Sequence, residues 1–242
     1  MCLILHIETS GDLCSVALSD KNILLGQLES EEPRTHAAEL TILIGRLLEE
    51  SGKKIGQLQA VAVSKGPGSY TGLRIGVSTA KGICFAHDLP LIAINTLEAL
   101  ADGMLEFERI KMEYLGFGTK DYLCPLIDAR RKEVYTALFD ATGEMVKGTE
   151  ALILDEKLHE EYMKEHMVVF LGSGAEKASE IIKNPNAIFI YRVQSRAQFL
   201  IKPAWKAYQE SKFEDTAYFE PYYLKDFIAT VPKKNIPGLG KA

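Results

Sequence analysis

Hydrophobic and polar positions in the first fifty residues follow the period of a strand and then the period of a helix. Three short apolar runs, at residues 3–8, 14–19 and 23–28, are separated by Ser10-Gly11-Asp12 and Asp20-Lys21-Asn22, which are residues typical of hairpin turns. From residue 36 to residue 51 the apolar side chains recur at helical spacing, and Gly52 suits the position that follows a helix. The pattern predicts an antiparallel meander followed by a helix.

The segment from residue 60 to residue 86, AVAVSKGPGSYTGLRIGVSTAKGICFA, predicts a strand, a tight loop and a helix. After Gly72 the apolar positions have a helical rhythm that includes Phe85. Between Gly66 and Gly72 the spacing is GxGxxxG, which matches neither the dinucleotide fingerprint nor the Walker A loop. A helix that begins after such a loop offers free N–H groups to an anion, whereas the alternative is a tight turn without a ligand.

The remaining sequence repeats this order of elements, which predicts two related α/β domains at residues 1–110 and 111–225. A strand at 90–94 and a helix from Thr96, an expected N-cap, complete the first domain, and residues 112–120 resemble a hinge. Residues 226–242 predict a mobile, slightly basic tail. In the second domain the pattern predicts strands at 122–128, 133–139, 145–154, 168–171 and 187–191 and helices at 155–165, 175–182 and 195–210, the last with an irregularity at Pro203.

Composition and charge restrict the class of protein. The chain has 242 residues, of which 47% are hydrophobic and 25% are charged, as in ordinary globular proteins. Its net charge of −5 disfavours a stand-alone nucleic-acid binder, because such a protein must neutralise several phosphates with Lys and Arg. The terminus MCLILHIE lacks a basic region, so no signal peptide is expected, and no apolar run approaches the ~20 residues of a membrane span.

The four cysteines are far apart and form no CxxC pair. They predict reduced core residues of a cytoplasmic protein rather than a disulfide framework or a zinc site. These positions are Cys2, Cys14, Cys84 and Cys124.

Small residues recur every four positions on two of the predicted helices, so each set lies on one helix face. The two stripes either face each other inside the molecule or form an external surface where the backbone of a partner helix can approach closely. They consist of Ala37, Thr41 and Gly45 on the first helix and of Gly72, Gly76 and Ala80 on the second.

Several segments together resemble the TsaB (YeaZ) family, namely ILHIETSGDLCSVAL, RTHAAELTILI, SKGPGSYTGLRIGVSTAKG, PLIDARRKEVY and PYYLKDF. The resemblance implies an actin/Hsp70/sugar-kinase-like (ASKHA) fold with two related α/β halves. It also implies a role in moving a threonylcarbamoyl group onto N6 of the adenosine beside the tRNA anticodon. In that family the catalytic subunit is the paralogue TsaD, TsaE is a small ATPase, and TsaB is their non-catalytic partner, which also forms homodimers through its N-terminal half.

The resemblance assigns expected roles to particular positions. The two small-residue stripes, together with Arg74, are expected to form the partner and homodimer interface. No catalytic residue, metal or required cofactor is expected in this chain. ATP or ADP would bind at the interface of the complex. The tRNA would be held mainly through the complex. Candidate nucleotide or phosphate contacts are Glu8, Thr9, Ser10, Gly66, Gly68, Asp128, Gly172 and Gly174.

Two enzyme functions remain as alternatives, a glycoprotease-type metallopeptidase and a small-molecule kinase of the same fold. The catalytic paralogue binds its metal through an HxxxH pair, but here Leu40 follows His36 at the second position. A capping or solvent-exposed role is therefore expected for His36. The kinase alternative requires that the isolated chain turn over ATP.

Overall fold

The structure, a computed structural model, describes residues 1–30, 32–33 and 35–225 and contains two five-stranded mixed sheets. In the first sheet the strand order is β3-β2-β1-β4-β5, with β1 antiparallel to β2 and parallel to β4. Its elements are β1 (Leu3–Glu8), β2 (Ser15–Asp20), β3 (Ile23–Glu29), α1 (His36–Glu50), β4 (Ala60–Gly66), α2 (Tyr70–His87), β5 (Leu91–Asn95), α3 (Thr96–Phe107) and α4 (Arg109–Tyr114).

The second sheet has the same topology as the first. Its order is β10-β9-β6-β7-β8, with β6 antiparallel to β7 and parallel to β9. The prediction of two related α/β halves in an actin/Hsp70/sugar-kinase-like fold is therefore confirmed. The elements are β6 (Tyr122–Asp128), β7 (Glu133–Asp140), β8 (Met145–Ile153), β9 (Val168–Leu171), α5 (Ala175–Ile181), β10 (Ala187–Ile190) and α6 (Ile201–Gln209).

Helices cover both faces of the first sheet, so β1 is buried along its whole length. The apolar stripe of α1 and the inner side of α2 pack on one face, as the helical periodicity predicts. On the other face α3 packs between the two sheets, and its side chains join those of β4, β6 and β7 in one core. Cys14, Cys84 and Cys124 are buried free thiols, in agreement with the sequence prediction, while Cys2 is half-buried.

The chain returns to the first half after β10. The backbone N–H of Ala197 donates to Ser15 Oγ at 2.7 Å, and the buried ring of Phe199 packs directly on Gly103 of α3. A 3₁₀ turn at Ala197–Leu200 precedes α6, so the predicted last helix is divided. Pro203 is the third residue of α6, where its missing N–H would have no partner within the helix.

Three local predictions are wrong. Residues 156–165 form consecutive turns instead of a helix, and His159 in this segment has a left-handed φ of 59°, which interrupts helical repetition. The N-cap of α3 is Asn95, whose side chain accepts from the N–H groups of Leu97 and Glu98, and Thr96 is already helical. The short helix α4 begins before the predicted hinge and extends into it. The predicted tail at 226–242 lies outside the described residues.

Within the described ranges, no helix combines the length and the apolar character needed to cross a bilayer.

Lowering the pH is expected to destabilise the protein through His159. Burial and the nearby Lys147 lower the pKa of this histidine from 6.5 to about 4, and neither ring nitrogen has a hydrogen-bond partner among the described residues. The neutral ring therefore stabilises the fold fully above the unfolded pKa, and this contribution is lost as the pH falls from about 6.5 to about 4. At pH 5 the free energy of unfolding should be lower by about 2 kcal/mol from this residue alone.

Urea unfolding at pH 7 and pH 5 measures this effect. Asparagine tolerates the left-handed conformation, so His159→Asn is the comparison variant. The pH-dependent loss should shrink by about 2 kcal/mol in the variant. An equal loss in both proteins would contradict the assignment.

Candidate functional site

The turn after β1 is held by a buried carboxylate. Glu8 Oε1 accepts hydrogen bonds from the backbone N–H of Ser10 at 2.6 Å and from Ser64 Oγ at 2.9 Å. Desolvation raises the pKa of Glu8, because the residue is inaccessible to solvent. Glu8, Thr9 and Ser10 are all buried, and their role as phosphate contacts stays a prediction.

The N-terminal turns of α2 cover this buried turn. A Cβ atom at Gly72 would collide with the carbonyl oxygen of Thr9, and one at Gly76 would collide with Thr9 Oγ1. Thr9 Oγ1 donates to the carbonyl of Gly72 at 2.8 Å, and Ser69 N–H donates to the carbonyl of Ser10 at 2.7 Å. The close approach predicted from small residues is therefore a contact inside the molecule.

The predicted external stripe on α2 is consequently wrong. Gly72, Gly76 and Ala80 are buried against the first sheet, because α2 lies too close to β1 for larger side chains. A Gly76→Leu substitution would clash with Thr9 and disrupt the fold, so it cannot serve as a selective interface variant. The outward face of α2 carries other residues, and Phe85, which the sequence pattern includes in the apolar rhythm, is 87% exposed.

Residues 213–225, which we call the C-terminal strap, cover the loop between β4 and α2. The N–H of Tyr222 donates to the carbonyl of Lys65 at 2.7 Å. Gly66 has a φ of 111°, and a Cβ atom there would lie 2.8 Å from the carbonyl oxygen of Tyr222. Gly68 packs on the backbone of Ser10. Both glycines therefore lie against the chain's own backbone, and their role as phosphate contacts stays a prediction.

The C-terminal strap connects the two halves. It begins with the N–H of Glu214 donating to the carbonyl of Leu91 at 2.9 Å, and Lys81 Nζ on α2 donates to the carbonyl of Phe219 at 2.9 Å. At its end the Lys225 ammonium pairs with Glu133 at the start of β7. The strap therefore links β5 and α2 of the first half to the β6–β7 hairpin of the second.

The second half repeats the close approach of a glycine turn to a strand. Gly172 has a φ of 100°, and a Cβ atom there would lie 2.5 Å from the carbonyl oxygen of Leu126. The N–H of Gly174 donates to that carbonyl at 2.9 Å. Gly172 and Gly174 thus pack against β6 at buried positions, and the nucleotide contact expected of them stays a prediction. Asp128 is exposed and accepts from Lys177 Nζ at 2.5 Å.

An open groove of about 550 Å³ lies between α1 and α2. Its floor is apolar, with Ile44 and Leu48 from α1 and Ile83 from α2, and Lys53 and Lys54 lie among its lining residues. Near it on α1, Ile42 is 59% exposed, a feature that the search for small residues missed. Of the predicted interface residues, Ala37, Thr41, Gly45 and Arg74 are exposed, and Thr41 and Gly45 line the groove.

His36 is the first residue of α1, and its ring is buried. Thr35 is the N-cap, and its side chain makes no capping hydrogen bond. The expected capping or solvent-exposed role of His36 is therefore wrong, and its Nε2 atom has no hydrogen-bond partner within the described residues. Across residues 1–30, 32–33 and 35–225, no three His, Cys, Asp or Glu side chains form a group that could hold a metal ion.

A family model and the sequences of known proteins identify the family of this chain. A family model described as TsaD, tRNA N6-adenosine threonylcarbamoyltransferase, matches residues 28–233. The tRNA threonylcarbamoyladenosine biosynthesis protein TsaB of Buchnera aphidicola is 30% identical over 66% of this chain and 68% of its own length. The chain belongs to the TsaD family, and within it to the TsaB proteins. TsaB of Escherichia coli K12 is 28% identical over 97% of this chain and 98% of its own length.

Solved structures of TsaB-type proteins show the same fold. A Pseudomonas aeruginosa protein described as similar to peptidase YeaZ has a TM-score of 0.79 at 26% identity, over 93% of this chain and all of that chain. A structure described as YeaZ from the same organism has a TM-score of 0.75 at 25% identity with the same coverage. The resemblance to the TsaB (YeaZ) family is confirmed.

Two glycines of α2 provide a matched test of the contact between this helix and the first sheet. Gly72→Ala should lower the free energy of unfolding by about 1–3 kcal/mol, because the new methyl group meets the Thr9 backbone, which cannot move without shifting β1. Gly82 in the same helix is exposed and has no atom near its Cβ position. Gly82→Ala should raise the free energy of unfolding by about 0.5–1 kcal/mol.

Urea unfolding monitored by circular dichroism measures both changes. If Gly72→Ala were as stable as Gly82→Ala, the contact between α2 and Thr9 would be looser than described.

Proposed function

We propose that this chain is the accessory, non-catalytic subunit of a cytoplasmic complex that transfers a threonylcarbamoyl group to N6 of the adenosine beside the tRNA anticodon. Its partners are a TsaD-like catalytic paralogue and a TsaE-like ATPase. Membership of the TsaB proteins supports this proposal most directly. The E. coli relative, which matches almost the whole chain, carries the name of tRNA threonylcarbamoyladenosine biosynthesis.

The non-catalytic part of the proposal is supported by the two glycine turns. In the first half the glycines expected to contact a nucleotide, Gly66 and Gly68, pack on the backbone of Tyr222 and Ser10. In the second half Gly172 and Gly174 pack on Leu126. The chain therefore acts through its partner, and it requires no cofactor of its own. ATP or ADP binds at the interface of the complex.

The groove between α1 and α2 is the proposed docking surface for the catalytic paralogue. Glycine and threonine on its α1 side leave the helix backbone accessible, and close approach of helices suits a specific contact. Burial of the surrounding apolar side chains against a partner would lower the free energy of the complex. Because the paralogue shares the fold of this chain, the same surface also serves self-association, and homodimer and heterodimer are mutually exclusive.

Reconstitution tests the function directly. The TsaD-like and TsaE-like proteins of the same cell are incubated with tRNA, ATP and the threonylcarbamoyl donor system, with and without this chain, and the modified adenosine is quantified by mass spectrometry. Modification should depend on this chain. Equal modification in its absence would contradict the proposal, and ATP-dependent modification of a small molecule by the chain alone would instead support the kinase alternative.

Gly45→Arg is expected to abolish docking without loss of the fold. Gly45 lines the groove and has no atom near its Cβ position, so an arginine there projects into the partner and leaves a charge in an apolar contact. Binding of the catalytic paralogue should weaken by about thirtyfold or more, and homodimerisation should weaken in parallel. Calorimetric titration and analytical ultracentrifugation measure the two effects.

The control is Gly148→Arg on β8, which introduces the same charge at an exposed, open position of the second half. It should bind like the unaltered protein. Unchanged binding by Gly45→Arg would exclude the groove as the docking surface.

A further inference from the structure

The β6–β7 hairpin tip carries three consecutive basic residues on an otherwise acidic chain. Arg130, Arg131 and Lys132 are all exposed, whereas the whole protein has a net charge of −5. We call these three residues the basic tip. Local charge of this kind attracts anions even when the net charge is unfavourable, because screening limits electrostatic range to about 8 Å at physiological salt.

The acidic residues on either side of the basic tip are already neutralised by other lysines. Asp128 pairs with Lys177 of α5 at 2.5 Å, and Glu133 pairs with Lys225 of the C-terminal strap. In the part of the chain that the structure describes, the three basic side chains of the tip form no ion pair. Lysines from α5 and the C-terminal strap thus neutralise the acids of the hairpin, which leaves the hairpin's own cations available.

The backbone of the tip is unfavourable for arginine. Arg130 and Arg131 have φ values of 70° and 54°, a left-handed conformation in which asparagine and glycine are preferred. Asparagine and glycine would adopt the left-handed conformation at these two positions with less strain. The presence of two arginines therefore has no explanation in the stability of the hairpin and indicates a use for their side chains.

Pairs of aromatic and basic side chains lie along β7, the C-terminal strap and α2. Lys225 lies over the ring of Tyr135, with 5.9 Å to the centroid. Two residues earlier in the strap, the ring of Tyr223 packs on Tyr70 with 4.7 Å between centroids, and the Arg74 guanidinium lies 5.7 Å from the centroid of Tyr70. Cationic groups beside aromatic rings are the elements with which proteins hold a nucleic-acid strand.

We propose that the basic tip binds the phosphate backbone of the tRNA substrate, so that this subunit contacts the RNA directly. The inference rests on the proposed function, which brings a tRNA to the complex. Arginine suits this role because its planar guanidinium donates two parallel hydrogen bonds to a phosphate. Phosphate contacts position the RNA and add affinity without reading sequence.

Arg130→Asn/Arg131→Gly separates this role from the stability of the fold. The variant places residues that tolerate positive φ at both left-handed positions, so its melting temperature should be equal to or higher than that of the unaltered protein. In the reconstituted complex with the catalytic paralogue, tRNA binding should weaken by about tenfold at 0.15 M salt. The dependence of log Kd on log salt should decrease by about 1.4, because two phosphate contacts are lost at about 0.7 each.

The matched control is Lys157→Ala/Lys164→Ala, which also removes two exposed positive charges from the second half but leaves the basic tip intact. It should keep the tRNA affinity and salt dependence of the unaltered complex. Lys132→Glu, which leaves the two left-handed positions unchanged, should weaken tRNA binding in the same direction as the double substitution at the tip. Fluorescence anisotropy of end-labelled tRNA at four salt concentrations measures all three variants.

Unchanged affinity and salt dependence in Arg130→Asn/Arg131→Gly would overturn the inference. Loss of binding to the catalytic paralogue with unchanged tRNA binding would also overturn it, because the basic tip would then contact protein. These outcomes are distinct from failure of the proposed function, in which the unaltered chain itself makes no difference to adenosine modification.

Discussion

The contact between Thr9 and two glycines of α2 is the constraint on which the rest of the first half depends. Because Gly72 and Gly76 lack a Cβ atom, the helix reaches the end of β1 and closes the turn that follows it. Gly172 and Gly174 make the corresponding approach to Leu126 in the second half. The two halves thus share both their topology and a close contact between glycines and the chain at the first strand of each sheet. In both halves these glycines allow close packing.

This close packing also determines which surfaces are left for other molecules. With its small residues turned inward, α2 presents its larger apolar side chains, and with α1 it forms the groove. The C-terminal strap bonds to Lys81 of the same helix and then pairs with Glu133 beside the basic tip. The C-terminal strap therefore contacts both α2, which forms one side of the proposed docking groove, and the residue next to the proposed RNA-binding tip.

Much of the fold could be predicted from the sequence, because periodicity and turn residues are local signals. The order of strands and helices, the apolar stripe of α1 and the repeat between halves follow from them. The direction of a small-residue stripe cannot be predicted this way. Spacing places Gly72, Gly76 and Ala80 on one face, but whether that face meets β1 or solvent depends on long-range packing. Likewise, nothing local predicts that residues 197–225 return to the first half, or that His159 interrupts a helical pattern.

The net charge of the whole chain and the local charge of the basic tip have opposite signs. An overall charge of −5 weakens the long-range attraction of RNA to the isolated chain, as the composition predicts. At contact distance the relevant charges are those within a screening length of about 8 Å. There the acids Asp128 and Glu133 are paired by lysines from α5 and the strap, which leaves the tip cationic. An acidic subunit can therefore position an RNA that its partner has already captured, provided that the pairing lysines remain in place.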